Sequence, residues 1–272
     1  MNEVRVEGAG NPNAGWCVCQ YVCVKRVLLA ALIYGVGCGH GMAWGMPQGE
    51  RWAPCREVKG VRRVSAGRGR RAVEIRTKMT VDVDGAPNAY GPKGRPTLDY
   101  ERNAHAPKGS SIAGEVVGYM TEGDGGPPTV QGPKDPFPGY YVSQTAWFDR
   151  ANRRKTDPRR YLDARRINYV VLGRAARAAG VRLGDFATVY SCRTGRVVFA
   201  IVGDEGNESG AEGSLALVQR LGYPIRDGKE DSVDGPELIV RYVPGSNAGR
   251  MFPKTQAELD RAARAAGVGL GR

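Results

Sequence analysis

The chain has 272 residues, a formal net charge of +12, 39 glycines and 17 prolines. That length holds one medium domain with additions or two small ones. The glycine and proline content suits a turn-rich β fold and argues against a helical bundle. No apolar run reaches the roughly 18 residues of a spanning helix, so no stable membrane span is expected.

In chain order, Lys25 and Arg26 precede the apolar stretch VLLAALIYGVG over 27–37, and Gly41-x-Ala43 follows. A basic start, a short apolar run and a small-residue cut site form the plan of a signal peptide. On this reading residues 1–23 are a spurious extension, translation starts at Val24, and the protein is secreted or periplasmic. The competing reading of 24–43 is a buried cytosolic helix. Export leaves Cys55 and Cys192 in the mature chain, in a compartment able to pair them.

Residues 51–78 carry ten Lys/Arg against two Glu. The segment 44–75 therefore reads as a basic, poorly ordered linker, and the folded domain is expected over 76–272. TKMTVDVDG alternates and ends in a glycine turn, as a half-buried strand does. A long Gly/Pro-rich region, 85–139, follows with short strands such as 115–120. The pattern predicts strands over 139–149, 167–173, 185–191, 196–203 and 237–245, with helical turns over 175–180, 213–222 and 255–267. Short strands, long loops and few helices give the expected fold class: mainly β with a few short helices, in a compact β-barrel-like single domain.

Elimination narrows the chemistry. Of two histidines, only His105 follows the proposed cut, so a zinc site built on several His or Cys is excluded. A Ser-His-Asp arrangement would have to use His105, and no G-x-S-x-G lies near it. No phosphate-binding loop or complete dinucleotide fingerprint occurs. Asp82 and Asp84 do not match a calcium loop. Neither a metal nor a cofactor is expected. The basic segments lack the aromatic interleaving of a nucleic-acid binder and read as a solvated, wall-adhering face. A monomer without nucleic-acid partners is expected.

Carboxylates remain. Asp204, Glu205, Glu208 and Glu212 fall within nine residues, with no basic residue from Val197 to Gln219. Two readings of Glu212 compete. Ser209-x-x-Glu212 ahead of GSLALV is a capping box, in which Glu212 satisfies a free N–H at a helix start. Alternatively, Asp204 at a strand end and Glu212 meet in one cleft as the paired carboxylates of glycoside hydrolysis.

MTVDVDGAPNAYGP, LDY, GYYVSQTAWFD, RYLDARRINYVVL, GDFATVY, FAIVGDEG…GAEGSLAL…LG and VRYVPGSN, taken in order over about 79–250, resemble glycoside hydrolase family 75, the fungal and bacterial chitosanases. The resemblance implies a secreted, inverting endo-hydrolase of β-1,4-linked glucosamine, with a compact β-barrel core. It places the catalytic pair on Asp204 and Glu212, with Glu212 as general acid and Asp204 as the base that orients water. Asp84, Asn88 and Gln144 are candidate hydrogen-bonders to the sugar, and Tyr90, Tyr141 and Trp147 candidate stacking residues. Three features depart from the family: a loop one residue short between the acids, Ala211 where glycine is expected, and a basic chain for a cationic substrate. Two rivals stand beside chitosan cleavage: a peptidoglycan-cleaving glycosidase of the same fold, and a non-catalytic wall-binding module.

Overall fold

The computed structural model describes residues 52–66, 69–106, 108, 112–206 and 208–271. Among them are seven strands: β1 (Val61–Ser65), β2 (Arg71–Asp82), β3 (Tyr169–Val171), β4 (Phe186–Ser191), β5 (Val197–Asp204), β6 (Glu212–Ser214) and β7 (Ser232–Val243). The α-helices are α1 (Arg174–Ala178), α2 (Leu215–Arg220) and α3 (Gln256–Ala265). The fold is mainly β with a few short helices.

Six strands close on themselves in the order β2-β6-β3-β5-β4-β7, with β7 returning to β2. The β2–β6 and β3–β5 pairs are parallel, and the other ladders of the ring are antiparallel. Closure removes the free edges that an open sheet would expose. The end of β2 buries alternate residues, whereas β3, β4 and most of β5 are buried along their length. Met79, Val81 and Val83 on β2 and its extension join Phe186, Val189, Ile201, Leu238 and Val240 in one buried cluster. On the same strand Thr80 is exposed, and Asp82 and Asp84 are half-buried on the other face. The period-2 alternation visible in TKMTVDVDG thus aims both aspartates out of the core.

Sheet geometry overturns the linker. Over 52–75 the chain forms a 3₁₀ turn at Cys55–Glu57, then β1, then the first part of β2. Strand β1 pairs with Arg71–Ile75 of β2 along the flank that β6 takes over further on. Cys55 and Cys192 form a disulfide, with Cα atoms 6.0 Å apart. Trp52, Ala53 and Val58 pack with Tyr190 and Ile239 in a small cluster of their own. The high local charge misled because one of its acids is a buried partner. Glu74 is fully buried and accepts from Arg241 Nε at 2.8 Å, while Arg62 approaches its other oxygen at 3.2 Å. Residues 1–43, and with them the signal segment, lie outside the described residues.

The expected strand over 139–149 is also only partly present. Tyr141, Ser143 and Phe148 form isolated bridges to Val130, Tyr119 and Tyr161. Two of the partners, Tyr119 and Val130, lie in the Gly/Pro-rich stretch 85–139, whose turns come at intervals too short for a continuous ladder. No helix among the described residues is long and apolar enough to cross a membrane.

Candidate active site

The two readings of Glu212 are separated by where α2 begins. Its N-cap is Ser214, whose Oγ accepts from Leu217 N at 3.2 Å. The same hydroxyl accepts from Tyr169 N at 3.1 Å and donates to the Ile167 carbonyl at 2.8 Å. These bonds fasten the helix start to β3. Glu212 precedes the cap and lies on β6, opposite Thr80 of β2. The capping box is therefore not formed. The turn before Glu212 is made by Gly210, at φ +63°, packed against Gly173. Ala211 keeps an ordinary backbone and its carbonyl accepts from Thr80 N at 2.8 Å. The alanine that departs from the family pattern asks nothing of the backbone that alanine cannot give.

Asp204 is placed by a bulge. Val170 of β3 faces Val202, but the next residue, Val171, faces Asp204, so Gly203 is the extra residue. A Cβ on Gly203 would lie 2.5 Å from Tyr169 Cβ and 2.6 Å from Leu162 Cδ1. Glycine thus allows the bulge, and the bulge re-aims the side chain that follows it. Asp204 Oδ1 accepts Ala146 N–H at 3.0 Å and its own neighbour Glu205 N–H at 2.7 Å. Only 7% of Asp204 is exposed.

Asp82 and Asp84 arrive from the end of β2. Asp82 Oδ1 accepts Asp84 N–H at 2.8 Å, and Tyr90 Oη donates to Asp84 Oδ1 at 2.8 Å. Gly118 backs this pair: a Cβ there would lie 2.9 Å from both Asp84 Oδ1 and Tyr90 Oη. Carboxylate oxygens of Asp82, Asp84 and Asp204 lie within 4.8 Å of one another. Such an all-oxygen set suits a hard cation or, equally, shared protons, since like charges this close cannot all ionise.

Burial raises the pKa of all three. For Asp82 burial comes first and the Glu212 charge second, and together they push it up to about 7. Asp84 rises well above the usual carboxylate range through burial, then through Asp82 and Asp204. Asp204 rises likewise, through burial and then Asp82, against the two N–H bonds that favour its ionised form. Burial thus shifts all three carboxyls toward the protonated form.

Two cavities meet here. One, of about 520 Å³, is lined by Asp82, Asp84, Tyr90, Asp204 and Glu212, with His105 also on its wall. The second, of about 470 Å³, is lined by Gln144, Phe148, Lys155, Arg160, Tyr161 and Asp204. Asp204, Glu205 and Val117 belong to both walls.

The residues singled out from the sequence divide accordingly. Asp204, Glu212, Asp84 and Tyr90 line the first cavity and Gln144 the second. Asn88, Tyr141 and Trp147 line neither. Trp147 is a core residue: it is 4% exposed, and Gly184 is glycine because a Cβ would sit 2.4 Å from its ring. The Tyr141 ring packs on Tyr119 with centroids 5.0 Å apart. Asn88 holds its Oδ1 buried away from both cavities. Glu205 and Glu208 pair with Arg177 and Arg174 on the surface. Sequence reasoning set Asp82 aside with the calcium loop, although the alternation of VDVDG puts it on the same face as Asp84. It also missed Lys155 and Arg160, whose place on a cavity wall leaves no local signal.

No protein-family model matches the chain, and a search of curated proteins finds no match.

Proposed function

We propose that this protein is a secreted glycoside hydrolase that cleaves interior bonds of an amino-sugar polymer, with β-1,4-linked glucosamine as the first candidate substrate. One observation carries the reading: Asp204 lies where two cavities join, with Glu212 and two further carboxylates on the wall of the first. A cleft that continues on both sides of the acids accommodates a chain running through, as an endo-acting enzyme requires. The acidic first cavity suits ammonium-bearing sugars, and answers the objection raised by the basic chain as a whole.

Inverting hydrolysis needs a protonated carboxyl beside the bridging oxygen and an ionised one that activates water on the other face of the ring. The family pattern gives the first role to Glu212. We assign it to Asp204 instead. Asp204 stands on both cavity walls, where an oxygen joining two sugars would lie, and its burial favours the protonated form. With Oδ1 engaged by two N–H groups, the proton resides on Oδ2. Glu212, on the wall of the first cavity alone, then serves as base for water attacking the sugar held there. Asp82 and Asp84 exchange protons with the pair, and Tyr90 orients Asp84.

Reducing-sugar release from chitosan and from purified cell wall tests this function. Activity on either, lost in both Asp204→Asn and Glu212→Gln, supports a hydrolase. Binding to wall without release of sugar from either substrate would make the protein a wall-binding module. Export is tested separately: on the signal-peptide reading, N-terminal sequencing of secreted protein begins near Trp44.

A further inference from the structure

The two cavities differ in charge. Asp82, Asp84, Asp99 and Glu212 line the first, whose two cations, Arg102 and Lys229, lie 4.0 Å from Glu230 and Asp227, whereas the second adds Lys155 and Arg160 to the acids shared at the junction. Half of the eight cations in the basic run 150–166, which contains Lys155 and Arg160, are neutralised by nearby carboxylates. Arg154 and Arg159 pair with Asp135 and Asp157, and Arg165 and Arg166 pair with Asp163. Among the described residues, no carboxylate pairs with Lys155 or Arg160.

Arg160 is the more telling of the two. It is 8% exposed, its guanidinium lies 4.1 Å from the centroid of the Phe148 ring, and its Nη1 donates to the carbonyls of Asp149 and Asn152. Main-chain carbonyls and an aromatic face orient a cation without cancelling its charge. A buried guanidinium without a carboxylate partner is costly, and a ligand anion recovers that cost. Lys155 is exposed at the same wall, and its carbonyl accepts from Tyr161 Oη at 2.8 Å, which ties the loop to the cavity. The planar, oriented arginine favours a planar anion over a diffuse one.

We infer that the Lys155–Arg160 cavity accepts a sugar unit bearing a carboxylate, so that the preferred bond joins an amino sugar in the acidic cavity to an acidic sugar beyond Asp204. The inference rests on the hydrolase reading and narrows its substrate to a heteropolymer of alternating charge. The chain's overall charge of +12 would favour capture of such a polymer where its anionic groups dominate.

The experiment compares kcat/KM on two soluble hexasaccharides at low salt. One is the glucosamine hexamer; the other is a peptide-free strand from N-deacetylated peptidoglycan, in which alternate sugars carry a free carboxylate. Wild type should prefer the carboxylated strand by at least tenfold. Lys155→Glu, at an exposed position, should lower that preference by about tenfold or more, the scale of one charged contact of about 1.4 kcal/mol. Arg160→Gln should lower it further, with thermal unfolding recorded to show that the variant is folded. Hydrolysis that favours the glucosamine hexamer, or a preference unmoved by Lys155→Glu, overturns the inference and leaves the hydrolase intact. Failure to cleave either strand overturns both.

Discussion

Replacing Glu212 by Gln removes one charge from the carboxylate cluster and keeps the shape and hydrogen-bonding capacity of the side chain. Glu212 faces Thr80 across the β2–β6 ladder, so Asp82 is its diagonal neighbour, about 7 Å away by strand geometry. Two like charges at that distance repel by about 2 kcal/mol at an effective dielectric of about 20. The repulsion acts once Asp82 ionises, and Asp82 is held to about 7, by burial first and then by Glu212. Its folded-state value lies above the ordinary 3.8, so the folded protein keeps a proton that the unfolded chain has released. The stability from that proton is complete below about pH 4 and is lost as the pH rises through about 7. Without the Glu212 charge, Asp82 ionises more readily and less stability is lost. Glu212→Gln should therefore match wild type near pH 4 and exceed it near pH 8, by about 1–2 kcal/mol once water at the cavity mouth is allowed for. For a domain of this size that is a rise in Tm of about 2–8 °C. Hydrolysis should meanwhile fall by about 10²–10⁴-fold, the usual cost of losing an acid or base. Thermal unfolding at the two pH values and turnover of the glucosamine hexamer measure both effects. A Tm difference that is the same at pH 4 and pH 8 would refute the charge coupling. Near-wild-type turnover would refute the catalytic role.

Asp204→Asn should lose about 10²–10⁴-fold on oligosaccharides but far less on an aryl glycoside with an acidic phenol, because such a leaving group needs no proton. Equal losses on both substrates would return the donor role to Glu212. Gly203→Ala should destabilise by about 1–3 kcal/mol through overpacking, because its Cβ meets Tyr169 and Leu162; an unchanged denaturant midpoint would refute this account of the bulge. Replacing Cys55 and Cys192 by serine should lower stability by about 2–5 kcal/mol, and hydrogen exchange should show faster opening over 52–66 than over β5. Uniform exchange would mean that the disulfide does not anchor that segment.

The sequence by itself determined those features whose causes are local. Period-2 alternation in TKMTVDVDG and the apolar run from Val197 to Val202 specify β2 and β5, and the alternation fixes which face of β2 carries Asp82 and Asp84. Thr255 and the residues after it likewise specify α3, since Thr255 accepts from Glu258 N at its start. What depends on distant partners was not legible. Ser209-x-x-Glu212 reads as a capping box from its neighbours alone; pairing of residues 212–214 with Thr80–Asp82 makes Ser214 the cap and leaves Glu212 in a strand. The basic run over 51–78 has the composition of a linker, yet Glu74 finds Arg241 in a strand 167 residues away. Trp147 looks like a sugar-stacking residue until Gly184 covers it. The acid cluster itself was half visible. Asp204 and Glu212 are close in sequence, but only barrel closure brings them to Asp82 and Asp84, because it sets strands from opposite ends of the domain side by side and excludes the water that would otherwise keep those carboxyls ionised.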